Sequence, residues 1–396
     1  MRKNLLPTLG LLAFFALASC TADRDPKVAA VKRGIDCARF QLEQAAAEFD
    51  TLPGFPRSLM PKFKCIDAKD WTSGFFPGSL WLCYGLTGDE TLHAAARKYT
   101  ERLEGIQYYK GTHDLGFMVF CSFGNQQLIE HDAHSAEVIV EAANSLISRC
   151  DPAIGLIRSW DFGEWNYPVI IDNMMNLEML FWASKHTGDP KYRDVAVRHA
   201  DITMKNHFRE DCSSYHVVSY NDDGTVESQG TFQGYSDSSA WARGQAWGLY
   251  GYTMCYRETG DRRYLDHAER IAAFIMNHPA TPEDRIPYWD YNAPDIPAAP
   301  RDASAAAVMS SALFELSTLV PEGQKYFDYA ETLLMNLSSD AYLAQKGTNG
   351  GFILMHSVGH LPANSEIDTP LNYADYYYLE ALGRYLKLRG LDPQQL

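Results

Sequence analysis

The stretch WLCYGLTGDETLHAAARKY, residues 81–99, contains two amphipathic runs joined by Thr87-Gly88-Asp89. The same junction recurs at residues 187–189 and 259–261, and a degenerate copy lies at residues 321–323. Glycine supplies the left-handed residue that ends one helix, and the aspartate after it can cap the next helix. Each copy therefore predicts a helical hairpin.

A single hairpin of this kind cannot bury its own apolar face, so successive copies stack on one another. With further helices predicted over residues 28–49 and 374–388, about twelve helices are expected. Two predicted helices carry apolar or small residues on nearly every face, which is typical of helices buried on all sides: Asp172 to Trp182 and Ala240 to Tyr252. This pattern favours an all-α, closed (α/α)6 barrel over an open solenoid. Few strands are expected, and the candidate hairpins span Ser214 to Glu227 and Gly350 to His356.

The chain begins with two basic residues and an apolar run that ends in Leu17-Ala18-Ser19-Cys20, which resembles a bacterial lipobox. The run from Leu5 to Ala18 is shorter than a membrane span of about 20 residues, so a cleaved signal is expected. Cys20 would then carry the lipid, the only expected membrane contact of an exported, periplasmic or membrane-anchored protein. The alternative is an ordinary signal peptide cut elsewhere. The predicted parts are a lipoprotein signal peptide, a tether and one barrel domain, at residues 1–19, 20–27 and 28–396.

The net charge of the chain restricts its partners. The whole chain carries −15, and removal of residues 1–19, which hold two basic and no acidic residues, makes it −17. An acidic surface of this kind repels polyanions at long range. Nucleic acid is therefore not an expected partner, and an anionic ligand must be small and held by specific local cations.

The cysteines and histidines predict neither a disulfide framework nor a metal site. Without Cys20, seven cysteines remain, and they contain no C-x-x-C pair. Three lie in apolar runs and are expected in the core: Cys83, Cys121 and Cys255. Two pairs of histidines have spacings that a helix could turn into ligand pairs: His131 with His134, and His356 with His360. No matching set of carboxylates accompanies them.

Two aspartates adjoin apolar residues at the start of helical stretches. Asp114 lies in HDLGF, residues 113–117, and Asp172 follows Pro168-Val169-Ile170-Ile171. Each is either a helix cap or a site residue, because a buried charge needs partners. A helix N-terminus favours a carboxylate, whereas apolar neighbours and a second carboxylate favour the protonated acid. The two would form an acid/base unit if the fold brings them together.

Arg243 and Trp247 are four residues apart in SDSSAWARGQAW, residues 236–247, so they share one helix face. The pair could hold a carboxylated sugar, with the guanidinium on the carboxylate and the ring on the apolar sugar face. The alternative is a structural stack of arginine on tryptophan. Three glycines on this helix favour close packing over phosphate binding: Gly244, Gly248 and Gly251. The remaining aromatic and polar candidates are Trp71, His216 and Gln233.

Five segments of the chain resemble those of the unsaturated glucuronyl hydrolases, glycoside hydrolase family 88, in the order of that family. They are WTSGFFPGSLW, HDLGF, IDNMMNLEML, SDSSAWARGQAWGLYGY and YADYYYLEAL. The resemblance covers nearly the whole mature length and implies an (α/α)6 barrel. It also implies that Asp172 is the general acid/base and Asp114 its partner. The sugar site that it implies is lined by Trp71, His113, Trp160, His216, Gln233, Arg243 and Trp247.

The implied substrate is a disaccharide or longer oligosaccharide that ends in a 4,5-unsaturated uronic acid. Asp172 would protonate C4 of the vinyl ether and then help deliver water to C5, after which the hemiketal opens to an α-keto acid and the neighbouring sugar. No cofactor is implied. The segment Leu361 to Pro370 has no Lys or Arg, unlike relatives that read sulfate. The alternatives are a rhamnogalacturonyl hydrolase of the same fold and a noncatalytic glycan-binding lipoprotein.

Overall fold

The computed structural model describes residues 25–59 and 62–396 and places twelve α-helices in this part of the chain, the predicted number. Residues 1–24, including Cys20 and the signal segment, lie outside it. Asp25 caps the first helix, so the end of the predicted tether is already helical. None of the described helices is long and apolar enough to cross a membrane. The helices are α1 Pro26–Glu48, α2 Phe75–Thr87, α3 Glu90–Glu101, α4 Asn125–Glu130, α5 Ala133–Ile147, α6 Leu177–Thr187, α7 Lys191–Asn206, α8 Ala242–Thr259, α9 Arg262–Asn277, α10 Ala303–Ser317, α11 Gln324–Leu337 and α12 Asn372–Arg389.

The helices form two concentric layers. α2, α6, α8, α10 and α12 are largely buried, and they form an inner ring together with α4 and the π-helical segment Gly116–Gly124 before it. Neighbours in the ring pack on each other, and α12 packs back on α2. The other helices have one apolar face and cover the ring from outside. The closed (α/α)6 barrel is therefore confirmed, and the open solenoid is excluded.

The three Thr-Gly-Asp junctions have one geometry. Gly88, Gly188 and Gly260 adopt left-handed φ angles of 66°, 74° and 71°. The aspartate of each junction accepts a hydrogen bond of 2.8–3.0 Å from the backbone N–H two residues later. The glycines end one helix and the aspartate bonds start the next, as predicted, although Pro190 stands between Asp189 and α7. The degenerate copy differs, because Gly323 has an ordinary φ of −67°.

Five short strands lie between the helices. β3 pairs with β4 and β4 with β5, all antiparallel, and β1 pairs antiparallel with β2. The hairpin predicted near Ser214 to Glu227 is confirmed as β4 and β5. The strands are β1 Phe55–Ser58, β2 Lys64–Ile66, β3 Pro168–Ile170, β4 Val217–Tyr220 and β5 Val226–Gly230.

The strand hairpin predicted near Gly350 to His356 is wrong. Two glycines there adopt left-handed φ angles of 61° and 83° in a short 3-10 turn. The next backbone N–H groups, of Ile353 and Leu354, donate to the carboxylate of Asp375 at 3.0 and 2.8 Å. Leu354 makes only an isolated antiparallel bridge with Leu343, and a side chain takes bonds that a longer strand pair would have made. Burial raises the pKa of Asp375 to about 7, against the effect of these two bonds.

Aromatic rings fill the middle of the inner ring. The ring centres of Phe117 and Trp247 are 5.3 Å apart, and those of Trp247 and Tyr377 are 5.5 Å apart. The predicted core cysteines are also buried, and burial raises the pKa of each thiol: Cys83, Cys121 and Cys255.

Ion pairs join four inner helices, close to the C-terminal ends of three of them. Arg257 of α8 pairs with Glu178 of α6 and, at 2.6 Å, with Glu315 of α10. Arg384 of α12 reaches the same Glu315 at 2.8 Å. Four inner helices are therefore cross-linked, α8, α10 and α12 near their last turns and α6 through its first turn.

Candidate active site

A cavity of about 450 Å³ opens at the other end of the barrel, where the inner helices begin. Its lining residues lead into those helices: Trp71 precedes α2, Asp114 the π-helical segment, Asp172 α6 and Glu366 α12. Helix N-termini carry partial positive charge, because their first N–H groups lack helical partners. The helix N-termini therefore add positive potential to a cavity that is also lined by four carboxylates: Asp70, Asp114, Asp172 and Glu366.

Asp172 lies between β3 and α6 and is 6% exposed. Its carboxyl group caps no helix, which excludes that alternative, and its Oδ2 atom has no hydrogen-bond partner in residues 25–59 and 62–396. Pairing of β3 with β4 brings His216 beside it, because the N–H of Ile171 donates to the His216 carbonyl at 3.1 Å. Nε2 of His216 lies 3.5 Å from Oδ2 of Asp172.

The tautomer of His216 follows from its other ring nitrogen. Nδ1 accepts hydrogen bonds from the backbone N–H groups of Phe232 and Gln233, both at 3.1 Å. A nitrogen that accepts carries no proton, so the proton of the neutral ring is on Nε2. His216 therefore presents an N–H to Asp172.

Asp114 has a similar environment. Nε2 of His113 lies 3.1 Å from Oδ1 of Asp114, and the Thr112 hydroxyl donates to Oδ2 at 2.5 Å. The Ser159 hydroxyl accepts the N–H of Ile170 at 3.0 Å and shares a hydrogen bond of 3.3 Å with Nδ1 of His113. His113 therefore also faces an aspartate through Nε2. Asp114 lines the cavity and is not a helix cap, since the π-helical segment that follows has no side-chain cap.

Glycines allow the segments that carry the two acids to meet. A Cβ atom on Gly116 would lie 2.6 Å from Cα of Asn176, so only glycine allows this approach. Asn176 then accepts the N–H of Phe117 at 3.0 Å. On the far side, a Cβ atom on Gly251 of α8 would lie 2.5 Å from Cβ of Met174. The packing role predicted for this glycine of α8 is confirmed.

Three further predicted sugar-site residues line the cavity: Trp71, Trp160 and Gln233. Trp160 is 8% exposed, and its Nε1–H has no partner in the described part of the chain. A buried donor without a partner is available to a ligand. The Gln233 amide donates to the carbonyl of Gly359 at 3.1 Å, which holds it against the wall.

The sugar-site role of Arg243 stays a prediction, and the residue is not among those that line the cavity. The side chain is completely buried and pairs with Asp302 at 3.1 Å. It also donates to the carbonyls of Val358 and, at 2.7 Å, Gly359. The guanidinium stacks 4.4 Å from the ring centre of Trp241, so a structural stack exists, although with another tryptophan than predicted. Arg243 holds the wall in place and makes no direct contact with the cavity.

The sugar-site role of Trp247 likewise stays a prediction. It is also completely buried, and it packs behind Phe117, which in turn lies 5.4 Å from the ring centre of Trp71. Trp247 therefore lies one layer below the cavity, in the aromatic core.

The cavity wall contains a charged cluster that sequence analysis missed. Arg57 of β1 makes two hydrogen bonds to Glu366, at 2.7 and 2.8 Å, and two to Asp70, both at 2.8 Å. Lys64 adds a contact of 3.2 Å to Glu366, and Arg57 lies 5.7 Å from the ring centre of Trp71. The one sequence signal for this cluster was the segment 361–370, which contains Glu366 and has no Lys or Arg.

This cluster makes stability depend on pH through Glu366. Burial would raise the pKa of Glu366, but the hydrogen bonds and charges of Arg57 and Lys64 lower it from 4.5 to about 2. The folded chain therefore binds this proton less readily than the unfolded chain, and the stabilisation is present above about pH 4.5 and lost as the pH falls toward 2. We expect Glu366→Gln to lower the free energy of unfolding at pH 7 by on the order of 3 kcal/mol.

Urea unfolding at pH 7 and pH 3 measures this change. The difference in free energy of unfolding between wild type and Glu366→Gln should be smaller at pH 3 than at pH 7. The exposed Glu322→Gln should have the wild-type free energy of unfolding at both pH values. An equal gap at both pH values would contradict the assignment.

Lys69 is the remaining cation at the cavity. Of the lysines and arginines that line it, Lys69 alone has no carboxylate partner in the part of the chain that the structure covers, and its Nζ lies 5.5 Å from the ring centre of Tyr109. Since Arg57 and Arg243 are paired with acids, Lys69 and the helix N-termini remain to attract an anion.

The histidine pairs do not converge on a common point. His134 pairs with Glu104 at 2.8 Å, and His356 with Asp368 at 2.6 Å. Nε2 of His360, which lines the cavity, donates to the carbonyl of Phe232 at 2.8 Å. Within the described residues, no group of three or more His, Cys, Asp or Glu side chains is placed to hold a metal.

Comparison with known proteins points to one family. An unsaturated glucuronyl hydrolase of Formosa agariphila is 50% identical over 83% of this chain and 84% of its own length. An unsaturated glucuronyl hydrolase of Bacillus sp. strain GL1 is 36% identical over 82% of this chain and 88% of its own. A crystal structure of an unsaturated glucuronyl hydrolase specific for heparin is 54% identical, with a TM-score of 0.91 over 92% of this chain and 99% of that one. No family model matches the chain.

Proposed function

The chain belongs to the unsaturated glucuronyl hydrolases, glycoside hydrolase family 88, and on that premise we propose that it removes the nonreducing-end 4,5-unsaturated glucuronic acid from glycosaminoglycan-derived oligosaccharides. The observation that carries the proposal is the pair of aspartates in one cavity, each facing Nε2 of a histidine at 3.1 or 3.5 Å. The helix N-termini and Lys69 supply the positive potential that a uronate needs.

The reaction adds water across the C4=C5 double bond. Asp172 in its protonated form gives the proton to C4, and the positive charge that develops at C5 is shared with the ring oxygen. The carboxylate that remains takes a proton from water as it attacks C5, and the Nε2–H of His216 stabilises this carboxylate. The hemiketal opens, and the bond to the neighbouring sugar breaks. Asp114, oriented by His113 and Thr112, is placed to bind hydroxyl groups of the same ring.

The parent polymer is proposed to be heparin-like. What supports this is the relative named as specific for heparin, which shares 54% identity with this chain. Unsaturated disaccharides from heparin, chondroitin, hyaluronan and rhamnogalacturonan, each followed by loss of ultraviolet absorption, test it. Faster turnover of the heparin disaccharide than of the other three supports the proposal. Faster turnover of the rhamnogalacturonan disaccharide favours the rhamnogalacturonyl hydrolase, and binding without loss of absorption favours the noncatalytic lipoprotein.

The proposed location is a membrane, reached through a lipid on Cys20, and what supports it is the sequence of the first 20 residues. We expect Cys20→Ala to move the protein from the membrane fraction to the soluble fraction, which immunoblotting after cell fractionation measures. The matched variant Cys65→Ala, at an exposed free cysteine, should stay with the membranes. A wild-type protein that is already fully soluble and begins at another residue would contradict the anchor.

A further inference from the structure

Four aromatic side chains form one wall at the mouth of the cavity: Trp160, Phe162, Trp165 and Phe232, here called the aromatic platform. Trp160 and Phe162 stack with ring centres 4.9 Å apart, and Phe232 lies 5.5 Å from Trp160 and 5.7 Å from Trp165. Three of the four line the cavity: Trp160, Phe162 and Phe232. Contiguous exposed aromatic surface of this kind is typical of a ligand groove.

The platform is rigid although its outer rings are exposed. The backbone of Phe232 is held on both sides, because its N–H donates to His216 at 3.1 Å and its carbonyl accepts from His360 at 2.8 Å. The loop that carries Phe162 is held by Asp161, which pairs with Arg149 at 3.0 Å. A preorganised surface loses little conformational entropy when a ligand binds.

Exposure increases from the acids outward. Asp172 is 6% exposed, Trp160 8%, Phe232 37% and Phe162 56%. The reacting sugar is the nonreducing end of its chain, so the rest of the substrate can extend in one direction only, from the aspartates toward the mouth. Any sugar beyond the cleaved disaccharide therefore leaves through the mouth, where the outer rings of the platform form one wall.

We propose that Phe162 and Phe232 form a subsite for the sugar that follows the disaccharide, so that the enzyme prefers oligosaccharides longer than two sugars. This inference rests on the proposed function. A pyranose ring has an apolar face of C–H groups that packs on a flat aromatic ring, as aromatic pairs do. Stacking of that strength corresponds to a preference of about 3- to 10-fold in kcat/KM for the longer substrate.

The test compares size-fractionated unsaturated di- and tetrasaccharides from heparin and from chondroitin. Wild type should have the higher kcat/KM on the tetrasaccharides, mainly through a lower KM. Phe162→Ala and Phe232→Ala should reduce that ratio about threefold or more, and Phe162→Leu, which keeps an apolar side chain without a flat ring, should restore little of it. Tyr108→Ala removes another exposed aromatic ring, 63% exposed and outside the cavity, and should keep the wild-type ratio.

Turnover of the disaccharides by wild type tests the proposed function alone. The ratio of kcat/KM for the tetrasaccharide to kcat/KM for the disaccharide tests the platform. Equal loss on both lengths would show that the rings hold the leaving sugar itself and would overturn the subsite. An unchanged ratio in both phenylalanine variants, or a wild type that prefers disaccharides, would also overturn it. Circular dichroism confirms that each variant folds.

Discussion

Asp172→Asn is expected to lower kcat about 100-fold or more while the protein still folds and binds substrate. The amide keeps the size and hydrogen bonding of the side chain but cannot give a proton to C4 or take one from water. Asp172 is the acid whose Oδ2 atom is buried, faces Nε2 of His216 and has no hydrogen-bond partner in the described chain. Loss of ultraviolet absorption measures the rate, and calorimetry measures the binding that should remain.

The exposed Asp340→Asn is the matched control and should keep wild-type kinetics. Asp114→Asn should also be damaging, and the loss of a negative charge from the cavity should move the acid-requiring limb of its pH profile to lower pH. In heavy water the product should carry deuterium at C4. A near-normal rate in Asp172→Asn, or product without deuterium at C4, would refute the hydration mechanism.

Arg243→Leu is expected to lower the free energy of unfolding by about 3–5 kcal/mol, because it leaves the buried carboxylate of Asp302 without its charged partner. Asp302 is completely buried and pairs with Arg243 at 3.1 Å. The same change at Arg262, whose ion pair with Asp266 is exposed, should cost at most about 1 kcal/mol. Urea unfolding at pH 7 measures both.

Arg243→Lys keeps the positive charge but loses the planar guanidinium group, whose two nitrogens donate to the carbonyls of Val358 and Gly359. Since Gln233 is bonded to the same Gly359 carbonyl, this variant should mainly raise KM through the cavity wall. The double variant Arg243→Leu/Asp302→Leu should recover part of the lost stability, because neither charge is then buried alone. Wild-type stability in Arg243→Leu would contradict the structural role assigned to it.

The fold was predictable from the sequence because its signals are local. A Thr-Gly-Asp junction ends one helix and starts the next within three residues, and this is the geometry found at residues 87–89, 187–189 and 259–261. The strand prediction at 350–356 failed because the partner of those N–H groups is Asp375, a side chain more than twenty residues later. Local patterns carry no information on such a contact.

The site was predictable only in part, for the same reason. The sequence placed both aspartates at helix starts, but it could not show that neither caps a helix or that each faces a histidine, because the orientation of such a histidine is set by distant backbone groups, such as that of Phe232 for His216. Arg57 and Glu366 are 309 residues apart and meet only in the closed ring. Helical spacing placed Arg243 and Trp247 on one face, yet it could not tell a face turned toward the cavity from one turned toward the core.

The inner ring is closed by packing of α12 on α2, and the layer below the cavity is filled by Phe117, Trp247 and Tyr377. Substrate and both products must therefore use the same mouth. The keto acid forms at the deep end beside Asp172, and the released saccharide lies between it and solvent. We therefore expect ordered departure, with the saccharide leaving first and the keto acid last. The keto acid and the next substrate then bind to the same form of the enzyme, so the keto acid should inhibit competitively with respect to substrate. The saccharide, which leaves earlier, should inhibit noncompetitively.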